Sequence, residues 1–175
     1  TIEILACTIQ TAICGNSTAT CEYDTGGDGI SAREFNISGG KIQQATGGAS
    51  TNGSGGSGIN SSTLTISGNA TIGNAQGGDG NASGGSGILG KTMEILAGTI
   101  QKAIGGNASN GTGGSGIRSN GNGTLTIKGG KIEQATGGDS EKYGGSGIYS
   151  SSKLTISDSA TIGNAQGGKG KGKSG

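Results

Sequence analysis

An isoleucine returns six times at the same place in the same short phrase, at Ile4, Ile37, Ile66, Ile95, Ile127 and Ile156, in steps of 33, 29, 29, 32 and 29 residues. A second column, Ile9, Ile42, Ile72, Ile100, Ile132 and Ile162, keeps step with it, and so does a third, Ile30, Ile59, Ile88, Ile117 and Ile148. Self-similarity on this length scale marks a solenoid, whose units bury their apolar faces only against one another. Three parallel columns predict an all-β chain: a single-stranded parallel β-helix of about six turns of ~30 residues, with three short strands per turn and a triangular cross-section.

Composition alone points elsewhere. With 43 glycines in 175 residues, 28% hydrophobic and 2% aromatic content, an aperiodic chain would stay disordered. Glycine loses more backbone freedom on ordering than any other residue, so the few apolar side chains must be used efficiently. Here 20 isoleucines and no valine fall almost entirely in or beside the columns. One β-branched residue type stacked on itself suits a narrow β interior.

Within each unit the apolar residues alternate: Phe35 with Ile37, Leu64 with Ile66, Met93 with Ile95, Leu125 with Ile127. Period two means a strand with one buried face. The second column is followed three residues later by Ala12, Ala45, Ala75, Ala103, Ala135 or Ala165. That spacing is not strict alternation and predicts a bend between two inward residues. The glycine pairs that follow, Gly47 with Gly48 or Gly77 with Gly78, read as sharp corners of positive φ. Residues 49–57, 79–86, 107–115 and 139–146 read as polar loops, either a row of fingers available to a ligand or structural corners, and their nearly constant length favours the corners. The first three units match the last three, so the single solenoid domain, residues 1–175, is a duplicated three-turn block, 1–91 and 92–175. Both ends open within the repeat pattern and are expected to be uncapped.

Net charge is +1, from 12 basic and 11 acidic residues, so no strong field invites nucleic acid. No apolar run approaches 18 residues, so no membrane insertion is expected. The tail lysines Lys169, Lys171 and Lys173 read as a solvated end. Nine Asn-x-Ser/Thr sequons, among them Asn16, Asn52, Asn81 and Asn107, are as frequent as chance makes them in a chain this rich in those residues.

Histidine is absent, which removes the commonest general base and metal ligand. No metal and no cofactor is expected. The three cysteines, Cys7, Cys14 and Cys21, leave two arrangements open: one disulfide with a leftover thiol, or three inert thiols. Their counterparts in the second block are Gly98, Gly105 and Thr112, so the fold itself does not need them. Catalysis would fall to the carboxylates Glu3, Glu34, Glu94, Glu133, Asp79, Asp139 and Glu141, with Glu3 and Glu34 one turn apart. A charged, solvated face explains the same residues, and no enzyme activity is expected. The threonines Thr8, Thr71, Thr99 and Thr161 form a rank that Lys41 and Lys131 break, and the pairs Thr63/Thr65 and Thr124/Thr126 alternate with turns bearing Glu3, Glu34, Glu94 and Lys153. An ice-binding face needs more regularity than either rank offers.

Units of the form Leu-x-Ile-x-Gly-Gly-x-Ile, then Ala-x-Gly-Gly and Gly-Gly-Ser-Gly-Ile, resemble the Gly-rich right-handed parallel β-helix repeats of bacterial secreted and cell-surface proteins. The resemblance implies a right-handed coil and a secreted or surface location. It implies an adhesin, stalk or matrix component more than an enzyme, with end-to-end self-association or a longer array, and glycans as alternative partners.

Overall fold

The computed structural model describes residues 1–18 and 24–172. Among them every regular element is a strand: β1 (Ile2–Ile4), β2 (Thr8–Ile13), β3 (Ile30–Ile37), β4 (Lys41–Thr46), β5 (Ile59–Ile66), β6 (Thr71–Gln76), β7 (Ile88–Ile95), β8 (Thr99–Ile104), β9 (Ile117–Ile127), β10 (Lys131–Thr136), β11 (Ile148–Ser150), β12 (Lys153–Ile156) and β13 (Thr161–Gln166). They alternate between two parallel sheets. One runs β1-β3-β5-β7-β9-β11, with β12 also on β9, and the other runs β13-β10-β8-β6-β4-β2. The chain is therefore a parallel β-solenoid of about five full turns, one repeat per turn. Strand β7 carries the first sheet across the junction of the duplicated blocks.

Register follows the isoleucines. In the first sheet Ile37 pairs Ile66 and Ile66 pairs Ile95, and in the second Ile42 pairs Ile72 and Ile72 pairs Ile100. Slippage by one residue would turn an entire apolar set outward, so these columns set the pairing. Ile37, Ile42, Ile59, Ile66, Ile72, Ile100, Ile117, Ile127 and Ile132 are all 0% exposed. Each such side chain contributes about 1.5–3 kcal/mol relative to leaving it in water. Ala45, Ala75, Ala103 and Ala135 are equally buried. The expected bend beside them is present: pairing skips Gln43, Gly73, Gln101 and Glu133, letting residues three apart both face inward.

The Ile30 and Ile37 columns share one sheet. Pairing passes from Ala32–Ser61 to Glu34–Thr63, so each long strand is two short ones joined at an unpaired residue. In the last turn they separate as β11 and β12. Three short strands per turn are thus arranged on two continuous sheets.

The glycine-rich stretches close the third side as structural corners rather than as a row of projecting fingers. Bridges link Ser17, Ser50, Gly80, Ala108, Ser140 and Gly170 from turn to turn, and a second set links Thr25, Ser54, Ser83, Thr112 and Tyr143. Between them runs a zigzag of backbone hydrogen bonds. Gly48 N donates to Gly27 O, Gly56 N to Gly48 O, Gly78 N to Gly56 O and Gly85 N to Gly78 O, continuing through Gly106, Gly114, Gly138 and Gly145 to Gly168 at 2.8–2.9 Å throughout. Two segments of each turn pack backbone against backbone. A Cβ on Gly106 would lie 2.0 Å from Gly78 O, and one on Gly85 would lie 1.9 Å from Gly56 O. The glycine pairs are therefore steric requirements and not positive-φ corners.

Positive φ occurs at a different corner, where the chain leaves the first sheet for the second: Gly40 (72°), Gly68 (56°), Gly98 (85°) and Gly130 (75°). Asp158, at 55°, takes this corner in the last turn. The outermost turns are open. Ile2 is 36%, Leu154 44% and Ile156 51% exposed, whereas their register partners Phe35, Leu125 and Ile127 are buried.

Candidate functional site

The outward side chains divide into ranks that the pairing register lines up. The carboxylates named from sequence are dispersed among these ranks. Asp79 Oδ1 accepts the Asn107 amide at 2.7 Å, Asn107 Oδ1 accepts the Asp139 amide at 2.9 Å, and Asp139 Oδ1 accepts the Lys169 amide at 2.7 Å. Asn16 does the same for Ala49. Asp79, Asn107 and Asp139 directly follow a glycine pair, and Asn16 follows Cys14-Gly15 at the same place; each side chain reaches the next turn and ties two coils together. Asp28 works alike, accepting from Ser57 N and Asn60 Nδ2.

Glu34 accepts from Thr1 Oγ1 at 2.9 Å and from Asn36 Nδ2, while Glu3 pairs by register with Asn36. Glu133 holds Lys131 at 2.9 Å within one strand. Glu141 holds Lys171 at 2.7 Å across a turn, and that hydrogen bond and charge raise the Lys171 ammonium above its ordinary range. Glu94 stands exposed among threonines. Among the described residues no group of three or more His, Cys, Asp or Glu is placed to hold a metal ion. Cys7 is exposed and Cys14 half-buried, both as free thiols. Cys21 and Lys173 lie outside the described residues.

Register exposes what the sequence pattern hid on the first sheet. Thr63 pairs Thr92 and Thr92 pairs Thr124, while Thr65, Glu94, Thr126 and Thr155 form the parallel column. Thr92 precedes a methionine rather than a leucine, so the repeated Thr-Leu-Thr phrase does not reveal it. On the second sheet the threonine rank is broken by Lys41 and Lys131, as expected.

No family model, no curated protein and no solved structure matches this chain. Function must be read from the surface itself. Its recesses are shallow. One, of about 240 Å³, lies where Arg118 stacks on its register partner Tyr149, 5.6 Å from guanidinium to ring centroid, above Ser115 and Ser146. The ring face is occupied by the guanidinium, which leaves the ring edge and the serines to a ligand.

Proposed function

We propose that this chain is a non-catalytic structural element of the cell exterior, a rod whose turns stack end to end with those of other copies. The observation that carries the reading is the register of like residues from turn to turn, which lets one turn seat another of the same kind. Leu154 and Ile156 on β12 are about half exposed, and the residues they stack on, Leu125 and Ile127, are completely buried. A parallel edge strand with an apolar row beneath it is a template for another strand. A heterologous stack of identical coils does not close on itself and grows as a filament. The resemblance of the repeat phrases to those of bacterial secreted and surface proteins supports an extracellular, adhesive or scaffolding setting.

Light scattering with electron microscopy over a concentration series tests this. Particles of constant width and growing length are expected, and Ile156→Lys should shift them toward monomers. A monodisperse monomer at every concentration overturns the proposal.

A second reading is favoured by the aligned Thr63, Thr92 and Thr124 beside Thr65 and Thr126. Threonines repeated every ~4.8 Å along a sheet present a regular rank to water, interrupted by Glu94 and bounded by Glu34 and Lys153. If that face orders ice, Glu94→Thr should increase thermal hysteresis. Hysteresis indistinguishable from an albumin control in both forms removes the reading.

A further inference from the structure

The second sheet carries a recess of about 380 Å³, and it arises from small differences between repeats. The bend residue is Gln43 in one turn and Gln101 two turns on, and Gly73 in the turn between. Glycine there leaves a dent in the outward rank, and a Cβ would lie 2.7 Å from Gln43 O. Next to it the equivalents Gln44 and Gln134 each donate to a threonine two residues on, Thr46 and Thr136, at 3.1 Å. Asn74 occupies the same column, is one methylene shorter, and is followed by Gln76 instead of threonine. It makes no such bond, and its Oδ1 is buried without a partner.

A buried acceptor left unsatisfied costs about 1–3 kcal/mol, so a turn of the Asn74 amide that carries Oδ1 to a donor in the recess is favoured. On either side stand Lys41, in the turn before, and Lys102, in the turn after. Among the described residues neither has a carboxylate partner, unlike Lys131 with Glu133 and Lys171 with Glu141. The amides of Gln43 and Gln101 line the same recess and can donate or accept.

We propose that this recess binds a hydroxylated anion, with the acidic group held between Lys41 and Lys102 and a neighbouring hydroxyl donating to Asn74 Oδ1 once that amide turns into the recess. A sugar acid or sugar phosphate, free or as one residue of an acidic glycan, has this chemistry. The second block supplies an internal control. Gly163 and Asn164 repeat Gly73 and Asn74, but the turn before them carries the Lys131–Glu133 pair, with Glu133 in the place of Gln43. The cation there is already neutralised, and among the described residues no strand beyond β13 supplies a counterpart of Lys102, so the copy does not make a second site. The inference is independent of the self-association reading, since a monomer and a filament both present this face.

The test is a titration of the whole chain at low salt with a hexuronate dimer, a hexose phosphate and the neutral hexose, followed by calorimetry and by the side-chain amide signals of Asn74. At least one anion is expected to bind, to weaken with added salt, and to shift the Asn74 signals. Affinity should fall at least tenfold in the Lys41→Ala/Lys102→Ala double variant and about tenfold in Asn74→Ala, and hold in Lys131→Ala. Binding by only one anion identifies the acid group and supports the site. No binding of either anion, equal binding of the neutral hexose, or unchanged affinity in the double lysine variant overturns the proposal.

Discussion

The two sheets and the glycine-rich side bury opposite parts of the polypeptide. On the sheets, isoleucine and alanine fill the interior, and stability comes from apolar area removed from water. On the glycine side there is almost no side chain to bury. The backbone itself is packed, and its amides and carbonyls are joined along the solenoid axis in one unbroken zigzag. Hydrogen bonds in such a chain polarise one another, and a low-dielectric surrounding strengthens each. A chain that looks too poor in hydrophobic residues to fold can therefore use glycine as a packing residue in its own right.

The contrast breaks most visibly by adding a methyl group. Gly106→Ala places a carbon 2.0 Å from Gly78 O, which itself accepts from Gly85 N and so cannot swing away. The expected loss in a denaturation experiment exceeds the ~1–3 kcal/mol usual for overpacking. It should also exceed the loss from removing a large side chain in the opposite half. Ile100→Ala, at a site with no exposure, should lower stability by about 2–5 kcal/mol. If the alanine at 106 is tolerated better than the alanine at 100, the two halves are not equivalent in rigidity.

The hydrogen-bonded acids sharpen the comparison at smaller scale. Asp79→Ala leaves the Asn107 amide without its acceptor between two turns and should cost about 1 kcal/mol. Asp158→Gly should gain about 0.5–1 kcal/mol, since the corner at φ 55° is natural for glycine and strained for aspartate. Lys171→Ala should leave the melting midpoint unchanged at neutral pH, because its pair with Glu141 is on the open surface. The raised Lys171 value means that whatever the pair adds is present below the ordinary lysine pKa of 10.5 and is lost as pH rises through the raised one. Melting between pH 6 and 9 should show no trend from this pair.

The isoleucine columns were legible in the sequence because a β-branched residue in a parallel stack must recur at the same step, and every coil declares it. The bend beside Ala45 was legible for the same reason, from a spacing of three. The glycine side was not, because glycine has no side chain to show a period by. Positive φ and close backbone approach both select glycine, and only the folded backbone separates Gly40, which has both, from Gly106, which has the second alone. The acids misled in a related way. Asp79 and Asp139 look like surface carboxylates until the turn beneath them is in place and their amide partners appear. The recess at Gly73 depends on three neighbouring coils differing, and a repeat alignment discards such differences as noise.

Amide hydrogen exchange, read residue by residue, tests the central claim most directly. If the glycine side is an ordered, axially bonded wall, then Gly56, Gly78, Gly85, Gly106 and Gly114 exchange as slowly as the amides of Ile72 and Ile100 in the sheets. Exchange of those glycines at the rate of an unstructured chain, with the isoleucines still protected, would contradict it.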